Sequence, residues 1–201
     1  LTVSSAASDV YKRQILNGLK RLEYRGYDSA GIAIYNGSTI ASCKSKGKIS
    51  KLEKLLDKRK NMSGVIGIGH TRWATHGEPN DINAHPQFSN SKKLCLVHNG
   101  IIENYSTIKL KLIKEGFSFS SETDTEVLVN LIEFVKNKND VKLGEAVQIA
   151  LNQVIGAYAI AVIDDNKPDE IVVAKLGSPL CIGIGEDEHF IGSDVTPFIE
   201  S

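Results

Sequence analysis

The stretch that decides the fold reads Ala30-Gly-Ile-Ala-Ile-Tyr35, then Asn36-Gly37, then Ser38-Thr-Ile-Ala-Ser-Cys43. Two apolar runs flank an Asn-Gly pair, which is the strongest short-range signal of a β-hairpin. We therefore predict two antiparallel strands, joined by a tight turn in which both residues of the pair adopt a positive φ. A hairpin of this kind is typical of an antiparallel sheet.

On either side of this hairpin, helices and strands are predicted in groups. An amphipathic helix is expected from Ile15 onward because Leu16, Leu19 and Leu22 recur at three-residue steps. Further helices are predicted over residues 51–60, 104–115, 125–136 and 143–154. Further strands are predicted at residues 64–70, 94–98, 157–163, 170–174, 180–184 and 189–191. This grouping favours an α+β domain, since a wound parallel sheet would alternate strand and helix.

Composition excludes several classes of protein. The 201 residues carry 24 Lys and Arg against 24 Asp and Glu, so the formal net charge is zero. A surface for nucleic acid or for an anionic membrane would need a basic excess. No apolar run is long enough to span a bilayer, and no secretory signal is visible. Cys43, Cys95 and Cys181 are widely spaced and odd in number, which favours free thiols in a cytoplasmic protein.

The densest polar cluster, His70-Thr-Arg-Trp-Ala-Thr-His-Gly77, directly follows a predicted buried strand. It opens a loop over residues 71–93, and so long a loop in a compact domain is usually functional. Arg72 offers a planar guanidinium suited to a carboxylate. A lone arginine beside a core tryptophan would have no such meaning, but the number of polar groups within eight residues favours a binding site.

Two further clusters are ambiguous when each is taken alone. Asn99 and Gly100, in Val97-His-Asn-Gly-Ile101, could aim an amide and an N–H at one oxygen, as an oxyanion hole requires. A plain Asn-Gly turn is the commoner meaning of that pair. Thr123-x-x-Glu126 predicts a helix-capping box with Asp124 in the first turn. Asp124 could receive a ligand ammonium or simply favour the helix dipole.

Metal and nucleotide sites are weakly signalled. Cys95 and His98 are three residues apart on a predicted strand, which puts them on opposite faces. His70, His76 and His85 form no tight set with thiolates or carboxylates. Gly64-x-x-Gly-x-Gly69 reverses the dinucleotide fingerprint and precedes a loop rather than a helix. We expect neither a metal nor a cofactor.

Together these motifs closely resemble one family, the glutaminase (class-II glutamine amidotransferase) domain of glutamine–fructose-6-phosphate aminotransferase (isomerizing), or glucosamine-6-phosphate synthase. The resemblance runs from about Ile15 to the end of the chain. It implies an α+β, N-terminal-nucleophile hydrolase-like fold, a four-layer αββα sandwich of two antiparallel sheets. The segments that carry it are Leu22-Glu-Tyr-Arg-Gly-Tyr-Asp-Ser-Ala-Gly31, His70-Thr-Arg-Trp-Ala-Thr-His-Gly77, Asn83-Ala-His-Pro86, Val97-His-Asn-Gly-Ile-Ile-Glu-Asn104 and Ser121-Glu-Thr-Asp-Thr-Glu126.

The resemblance also implies roles for the matching positions. Arg72 would hold the α-carboxylate of glutamine, and Asp124 its α-ammonium. Asn99 and the Gly100 N–H would form the oxyanion hole, and Arg25 would support the nucleophile end of the site. The remaining substrate-binding residues would be Trp73, Thr75, His76 and Gly77.

The chain departs from the family at its start. The family's nucleophile is a cysteine that becomes the first residue, with its own α-amine as the base. Here the sequence opens Leu1-Thr-Val-Ser-Ser-Ala-Ala, with no cysteine before Cys43. We expect residues 1–14 to be a foreign or artefactual segment that replaces the native Cys-initiated strand, and residues 15–201 to be the amidotransferase domain. We predict that this copy is inactive, with a reduced stability because a sheet has lost a strand.

The implied function is glutamine hydrolysis that supplies ammonia for converting fructose 6-phosphate to glucosamine 6-phosphate. L-glutamine would be the substrate, a C-terminal sugar isomerase domain the partner, and the full-length enzyme a homodimer, without nucleic acid or membrane. Two alternatives stay open. One is a nucleophile-less module that binds glutamine or glutamate. The other is the glutaminase domain of a different class-II enzyme, such as amidophosphoribosyltransferase or asparagine synthetase.

Overall fold

The computed structural model describes residues 5–186 and 188–196. Within them the helices are α1 (Ser5–Arg21), α2 (Ile49–Asp57), α3 (Tyr105–Lys114), α4 (Asp124–Asn139) and α5 (Leu143–Leu151). The strands are β1 (Ser29–Tyr35), β2 (Ile40–Lys46), β3 (Ile66–Arg72), β4 (Gln87–Phe88), β5 (Leu94–Ile102), β6 (Gly156–Asp164), β7 (Lys167–Leu176), β8 (Cys181–Ile184) and β9 (His189–Gly192). None of these helices has the length and apolar character needed to cross a bilayer.

Two antiparallel sheets form the centre of the molecule. The first has the strand order β2-β1-β3 and the second β4-β5-β6-β7, while β8 and β9 form a separate hairpin. Apolar residues from both sheets, among them Ala33, Ile68 and Ala161, form a buried cluster between them. Helices α1 and α2 pack on the outer side of the first sheet, and α3, α4 and α5 on the outer side of the second. The predicted α+β, four-layer arrangement is confirmed.

The hairpin that fixes the first sheet has a looser turn than predicted. β1 and β2 are antiparallel, but the last pair in register is Tyr35 with Ile40, which leaves a four-residue loop. Within this loop only Gly37 has a positive φ, of 94°. The Asn36 side chain closes the loop instead, because its Oδ1 accepts hydrogen bonds from the N–H groups of Ser38 (3.1 Å) and Thr39 (3.0 Å). The prediction of a hairpin is confirmed, and the prediction of its turn type is wrong.

Helix α1 begins ten residues earlier than predicted, at Ser5 rather than Ile15. The helix therefore runs through the predicted boundary at residue 14, and residues 1–4 lie outside the described residues. Its apolar side contacts β3 at glycines. A Cβ on Gly69 would lie 2.5 Å from Cγ2 of Ile15, so the absence of a side chain at Gly69 allows the helix to approach β3 this closely.

The predicted loop 71–93 is shorter and better ordered than its sequence indicates. β3 continues to Arg72, which shortens the loop at its start. β4 lies within the predicted loop and pairs with β5, which follows the loop. The buried side chain of Asn83 holds the remainder in place. Its Nδ2 donates to the Glu78 carbonyl (2.9 Å) and to Oε2 of Glu122 (3.1 Å), and its Oδ1 accepts from the Glu122 N–H (3.0 Å). Asn83 therefore joins this loop to the segment that precedes α4.

Packing of α4 against the second sheet should dominate stability. Leu128 on α4 is 1% exposed within the cluster that joins α3, α4 and α5 to the second sheet, whereas Leu110 on α3 is 64% exposed. We expect Leu128→Ala to lower the free energy of unfolding by about 3 kcal/mol, since it removes buried methyl groups and leaves a cavity. The matched change Leu110→Ala should cost less than about 0.5 kcal/mol. Urea unfolding of the two variants measures the difference, and equal losses would contradict this assignment of the core.

Candidate active site

One large cavity, of about 1070 Å³, lies where the ends of β3 and β5 meet. It exceeds the range of roughly 300–1,000 Å³ typical of small-ligand pockets, so an amino acid would fill only part of it. Most of the residues predicted to form the site lie on its wall: Arg25, Arg72, Trp73, Thr75, Asn99, Gly100 and Asp124. His76 and Gly77 are not among the wall residues. The structure thus brings together groups from four separate parts of the chain.

Arg72 is a buried cation with an unused donor. Its side chain is at the end of β3, and the residue is 3% exposed. Nη2 donates to the carbonyl oxygens of His76 and Gly77, while the buried Nη1 has no hydrogen-bond partner among the described residues. Burial lowers the pKa of the Arg72 guanidinium, against the opposing effects of Asp28 and Asp124. The unused Nη1 makes this group suited to an anionic ligand such as a carboxylate.

His76 and Gly77 support Arg72 instead of lining the cavity. Gly77 has a φ of 76°, and a Cβ there would lie 2.6 Å from Nδ2 of Asn83, so both backbone and space require glycine. The His76 ring packs edge-on against Tyr105, with 4.7 Å between ring centroids. Their carbonyl groups orient Arg72, a function that the sequence pattern did not distinguish from direct contact with a ligand.

Asp124 is the first residue of α4 and is 4% exposed. Its Oδ2 accepts a hydrogen bond from the Ile102 N–H (2.9 Å), which ties the start of α4 to the end of β5. Its Oδ1 lies 3.9 Å from Nδ1 of His76, a distance too long for a hydrogen bond. Because one oxygen is committed and the other is not, the carboxylate can receive a cationic group from the cavity.

The predicted capping box is half correct. Thr123 accepts a hydrogen bond from the Glu126 N–H (3.2 Å), as predicted. The Glu126 carboxylate does not return to Thr123, and instead accepts from the N–H groups of Ser120 (3.0 Å) and Ser121 (2.6 Å). These bonds fix the approach to α4 and therefore the position of Asp124.

Asn99 and Gly100 are in a strand and not in a turn. Both belong to β5, where Asn99 pairs with Ala159 and Gly100 with Tyr158 of β6. Gly100 has a φ of 127°, and a Cβ there would lie 2.0 Å from the Ala157 carbonyl oxygen. The turn interpretation of the Asn-Gly pair is therefore wrong. Glycine is required here because the neighbouring strand approaches its backbone so closely.

Arg25 and Trp73 form part of the cavity rim. Nη2 of Arg25 makes an ion pair with Oδ2 of Asp194 (2.7 Å), and Nη1 donates to Oγ of Ser193 (3.0 Å). Trp73 is 68% exposed, and its ring covers Gly26 so closely that a Cβ there would lie 2.8 Å from Cζ3. Arg25 thus joins the segment after α1 to the segment after β9, at the mouth of the cavity.

Asp28 was not predicted as a site residue, although it organises the end of β3. Its Oδ2 accepts a hydrogen bond from the Ala74 N–H, its Oδ1 accepts from Oγ of Ser29 (2.8 Å), and its own N–H donates to the Arg72 carbonyl (2.8 Å). An isolated aspartate in a loop has no local pattern that would reveal such long-range partners.

Three histidines near the cavity were also missed, of which His85 and His98 are buried and His70 is partly buried. His70 of β3, His85 of the loop before β4 and His98 of β5 all line it. Burial lowers the pKa of His70 to about 4 and shifts the pKa values of His85 and His98 in the same direction. In the described part of the chain, no group of three or more His, Cys, Asp or Glu side chains is arranged to hold a metal ion.

The described cysteines do not supply a nucleophile to the cavity. Cys43 and Cys95 are buried in strands, as predicted, and burial raises the pKa of both thiols, so neither forms a thiolate near neutral pH. Cys181 is in β8. Within residues 5–186 and 188–196, no cysteine lies on the cavity wall.

The cavity runs along one edge of β3. Every residue from Val65 to Trp73 contributes to its wall, although alternate side chains of a strand point to opposite faces. The cavity must therefore face the backbone edge of the strand. In the described residues β3 pairs only with β1, so its other edge has unpaired N–H and C=O groups directed at this space.

The sequence matches a family model described as a glutamine amidotransferase domain over residues 57–200. The glutamine–fructose-6-phosphate aminotransferase (isomerizing) of Bacteroides thetaiotaomicron is 58% identical over 187 residues, covering 92% of this chain and 30% of that protein. The enzyme of the same name from Chlorobaculum tepidum is 54% identical over 193 residues, covering 92% of this chain and 31% of that protein. The chain thus spans about 30% of the length of these curated relatives.

A similar fold occurs in the solved structure of glutamine phosphoribosylpyrophosphate amidotransferase from B. subtilis in complex with ADP and GMP. The TM-score is 0.76 at 30% sequence identity, and the match covers 92% of this chain and 40% of that one. The similarity therefore extends over most of the chain, in agreement with an N-terminal-nucleophile hydrolase-like fold.

The partly buried His70 should make stability pH-dependent. Because its folded-state pKa of about 4 is below the ordinary 6.5, the native state binds fewer protons than the unfolded state between these values. The free energy of unfolding should therefore fall as the pH drops through that window, by about 1.4 kcal/mol per pH unit for this proton. His70→Gln should flatten the slope, whereas His189→Gln, at an exposed position of β9, should leave it unchanged. Urea titrations at pH 7, 6, 5 and 4 provide the measurement, and an unaltered slope in His70→Gln would refute the assignment.

Proposed function

This chain belongs to the glutamine amidotransferase family, and we propose that it is the glutamine-hydrolysing domain of a glutamine–fructose-6-phosphate aminotransferase (isomerizing). The observation that carries the proposal is the convergence of Arg72, Asp124 and the Asn99–Gly100 pair on one cavity. These groups offer a cation, an anion and hydrogen-bond donors, which are the complements of an α-carboxylate, an α-ammonium and an amide oxygen.

Recognition of glutamine follows from the two buried charges. The free Nη1 of Arg72 would take the α-carboxylate, and the uncommitted Oδ1 of Asp124 the α-ammonium. Both groups are held by backbone partners, so little reorganisation is needed when the ligand binds. A zwitterionic head group fixed at this end would direct the side-chain amide toward Asn99 and Gly100.

Hydrolysis would proceed through a thioester. The family resemblance supplies a cysteine whose thiolate attacks the amide carbon of glutamine, while its α-amine takes the thiol proton. Asn99 Nδ2 and the Gly100 N–H would stabilise the oxyanion that forms. As the tetrahedral intermediate collapses, the C–N bond breaks, a proton is returned to the leaving nitrogen, and ammonia departs. Attack by water on the thioester then releases glutamate and regenerates the thiol.

The proposed position of the cysteine is the open edge of β3. Every strand pair named above is antiparallel. A strand added antiparallel to β3 would begin at the Arg72 end of β3, so its first residue would lie beside the site. In this proposal residues 1–14 replace, in the order of the sequence, the segment that would carry the native Cys-initiated strand, and the amidotransferase domain comprises residues 15–201. The present chain would then bind glutamine without hydrolysing it.

The acceptor of the released ammonia is proposed from the names of the relatives described above. Proteins named glutamine–fructose-6-phosphate aminotransferase are 58% and 54% identical to this chain, against 30% for the phosphoribosylpyrophosphate amidotransferase. Ammonia would therefore pass to a C-terminal sugar isomerase domain that forms glucosamine 6-phosphate from fructose 6-phosphate. A homodimeric full-length enzyme in the cytoplasm is proposed on the same basis.

Glutamine binding to the present chain tests the recognition half of the proposal. We expect calorimetry to show binding that Asp124→Asn weakens at least about tenfold, because the amide keeps an acceptor for Ile102 but loses the charge opposite the ammonium. Asp57→Asn at the exposed end of α2 should leave the affinity unchanged. Absence of binding, or equal affinities in both variants, would contradict the proposed site.

Restoring the nucleophile tests the proposed hydrolysis of glutamine. A chain in which residues 1–14 are replaced by a processed segment beginning Cys-Gly-Ile-Val should hydrolyse glutamine to glutamate and ammonia. Asn99→Ala in that chain should lower kcat by about 10²–10³-fold, with a smaller change in KM, since the lost donor acts mainly in the transition state. Coupled glutamate and ammonia assays measure both products. A folded, restored chain that binds glutamine but never turns it over would favour the binding module instead.

A further inference from the structure

Three side chains form a hydrogen-bonded chain that ends at the proposed oxyanion hole. Nδ1 of His85 lies 3.2 Å from Nδ1 of His70, and Nε2 of His70 lies 2.7 Å from Oδ1 of Asn99. The two imidazole rings are tilted by 59°, with 4.5 Å between their centroids. These two contacts thus connect the loop before β4 to β3, and β3 to β5.

Both rings are neutral near pH 7. Burial lowers the pKa of His70 to about 4, and burial together with the nearby His70, His98 and Arg72 lowers the pKa of His85 well below its ordinary value. A neutral imidazole carries one N–H and one bare nitrogen that can only accept. The two rings therefore share two protons for the two contacts, and the contacts restrict where those protons lie.

Only two proton arrangements satisfy both contacts. In the first, His85 Nδ1–H donates to the bare Nδ1 of His70, and His70 Nε2–H donates to Oδ1 of Asn99. In the second, the Asn99 amide is rotated by 180° so that Nδ2 donates to a bare Nε2 of His70. His70 Nδ1–H then donates to His85, whose own proton must move to Nε2.

The environment of His85 decides between these arrangements. Its Nε2 is buried and has no hydrogen-bond partner among the described residues. The first arrangement leaves a bare nitrogen there, whereas the second buries an unpaired N–H, which is rare in proteins and costly. The second would also direct the Asn99 carbonyl oxygen, with its negative partial charge, into the cavity.

We propose that His85 and His70 are positioning residues that fix the orientation of the Asn99 amide. His85 Nδ1–H donates to His70 Nδ1, and His70 Nε2–H donates to Asn99 Oδ1. The Asn99 Nδ2 group is thereby held as a donor facing the cavity. The catalytic consequence rests on the proposed glutaminase function, while the proton arrangement itself does not.

This positioning makes Asn99 a preorganised donor. An unrestrained asparagine amide could present either its oxygen or its nitrogen to a developing oxyanion, and half of these presentations would be repulsive. A donor fixed in advance avoids that reorganisation during the reaction, which is the property that makes oxyanion holes effective. His85 touches neither Asn99 nor the proposed substrate position directly, so it acts only through His70.

The proton arrangement can be measured on the chain as it exists. Long-range ¹H–¹⁵N correlation spectra of the ¹⁵N-histidine-labelled protein at pH 7 distinguish the two neutral tautomers and the imidazolium. We expect the Nε2–H tautomer for His70 and the Nδ1–H tautomer for His85. The exchanged pair of tautomers, or a protonated ring at either position, would overturn the proposal.

Matched amide substitutions test the positioning itself, because Gln places its amide near the Nε2 position of histidine and Asn near the Nδ1 position. In the Cys-restored chain, His70→Gln keeps a donor for Asn99 and should retain most of kcat. His70→Asn lacks that donor and should lower kcat about tenfold or more, with KM within about twofold. His85 should show the reverse order, with His85→Asn the better tolerated.

The pattern of these four variants separates positioning from a structural effect. Equal losses in His70→Gln and His70→Asn, or losses confined to KM, would overturn the proposal. Thermal unfolding of each variant identifies any loss that comes from misfolding, and the tautomer spectra of the unsubstituted chain remain decisive in that event. A restored chain with no glutaminase activity would count against the proposed function alone, since the tautomers are read without turnover.

Discussion

The site depends on one constraint, which is that the ends of β3 and β5 lie side by side although they belong to different sheets. Apolar contacts between the sheets, through residues such as Ile68 and Ala161, bring the two strands together. At the polar end of this interface the hydrogen bond from His70 Nε2 to Asn99 Oδ1, at 2.7 Å, connects one sheet to the other. A shift between the sheets would separate Arg72 from the Asn99–Gly100 pair. The geometry of the site therefore depends on the packing of the core.

The buried charges are held here by hydrogen bonds to backbone groups, and no direct ion pair joins Arg72 to Asp124 among the described residues. Arg72 uses the carbonyl groups of His76 and Gly77, and Asp124 uses the N–H of Ile102. Each charge therefore keeps one unsatisfied end, which a direct ion pair between them would have consumed. An unpaired buried charge is unfavourable in the empty protein, and a zwitterionic ligand relieves that cost at both ends at once. This is a physical reason for the proposed selectivity toward an amino acid.

Recognition and chemistry are divided between different parts of the domain. In the proposed function the described residues supply the groups that bind an amino-acid amide, but they bring no activated thiol to the cavity, because Cys43 and Cys95 are buried in strands. The open edge of β3 adjoins that same cavity.

The sequence by itself determined the α+β class, the hairpin of the first sheet, most helices, and the cluster from His70 to Gly77, because these depend on local periodicity and turn chemistry. It could not determine that Asn99 and Gly100 lie within a strand, since pairing with β6 overrides the turn preference of the Asn-Gly pair. Nor could it reveal that His76 and Gly77 stand behind Arg72, or that Asp28, His70 and His85 orient the site. Those assignments rest on hydrogen bonds between residues distant in the chain, and only the tertiary structure decides which distant donor meets which acceptor.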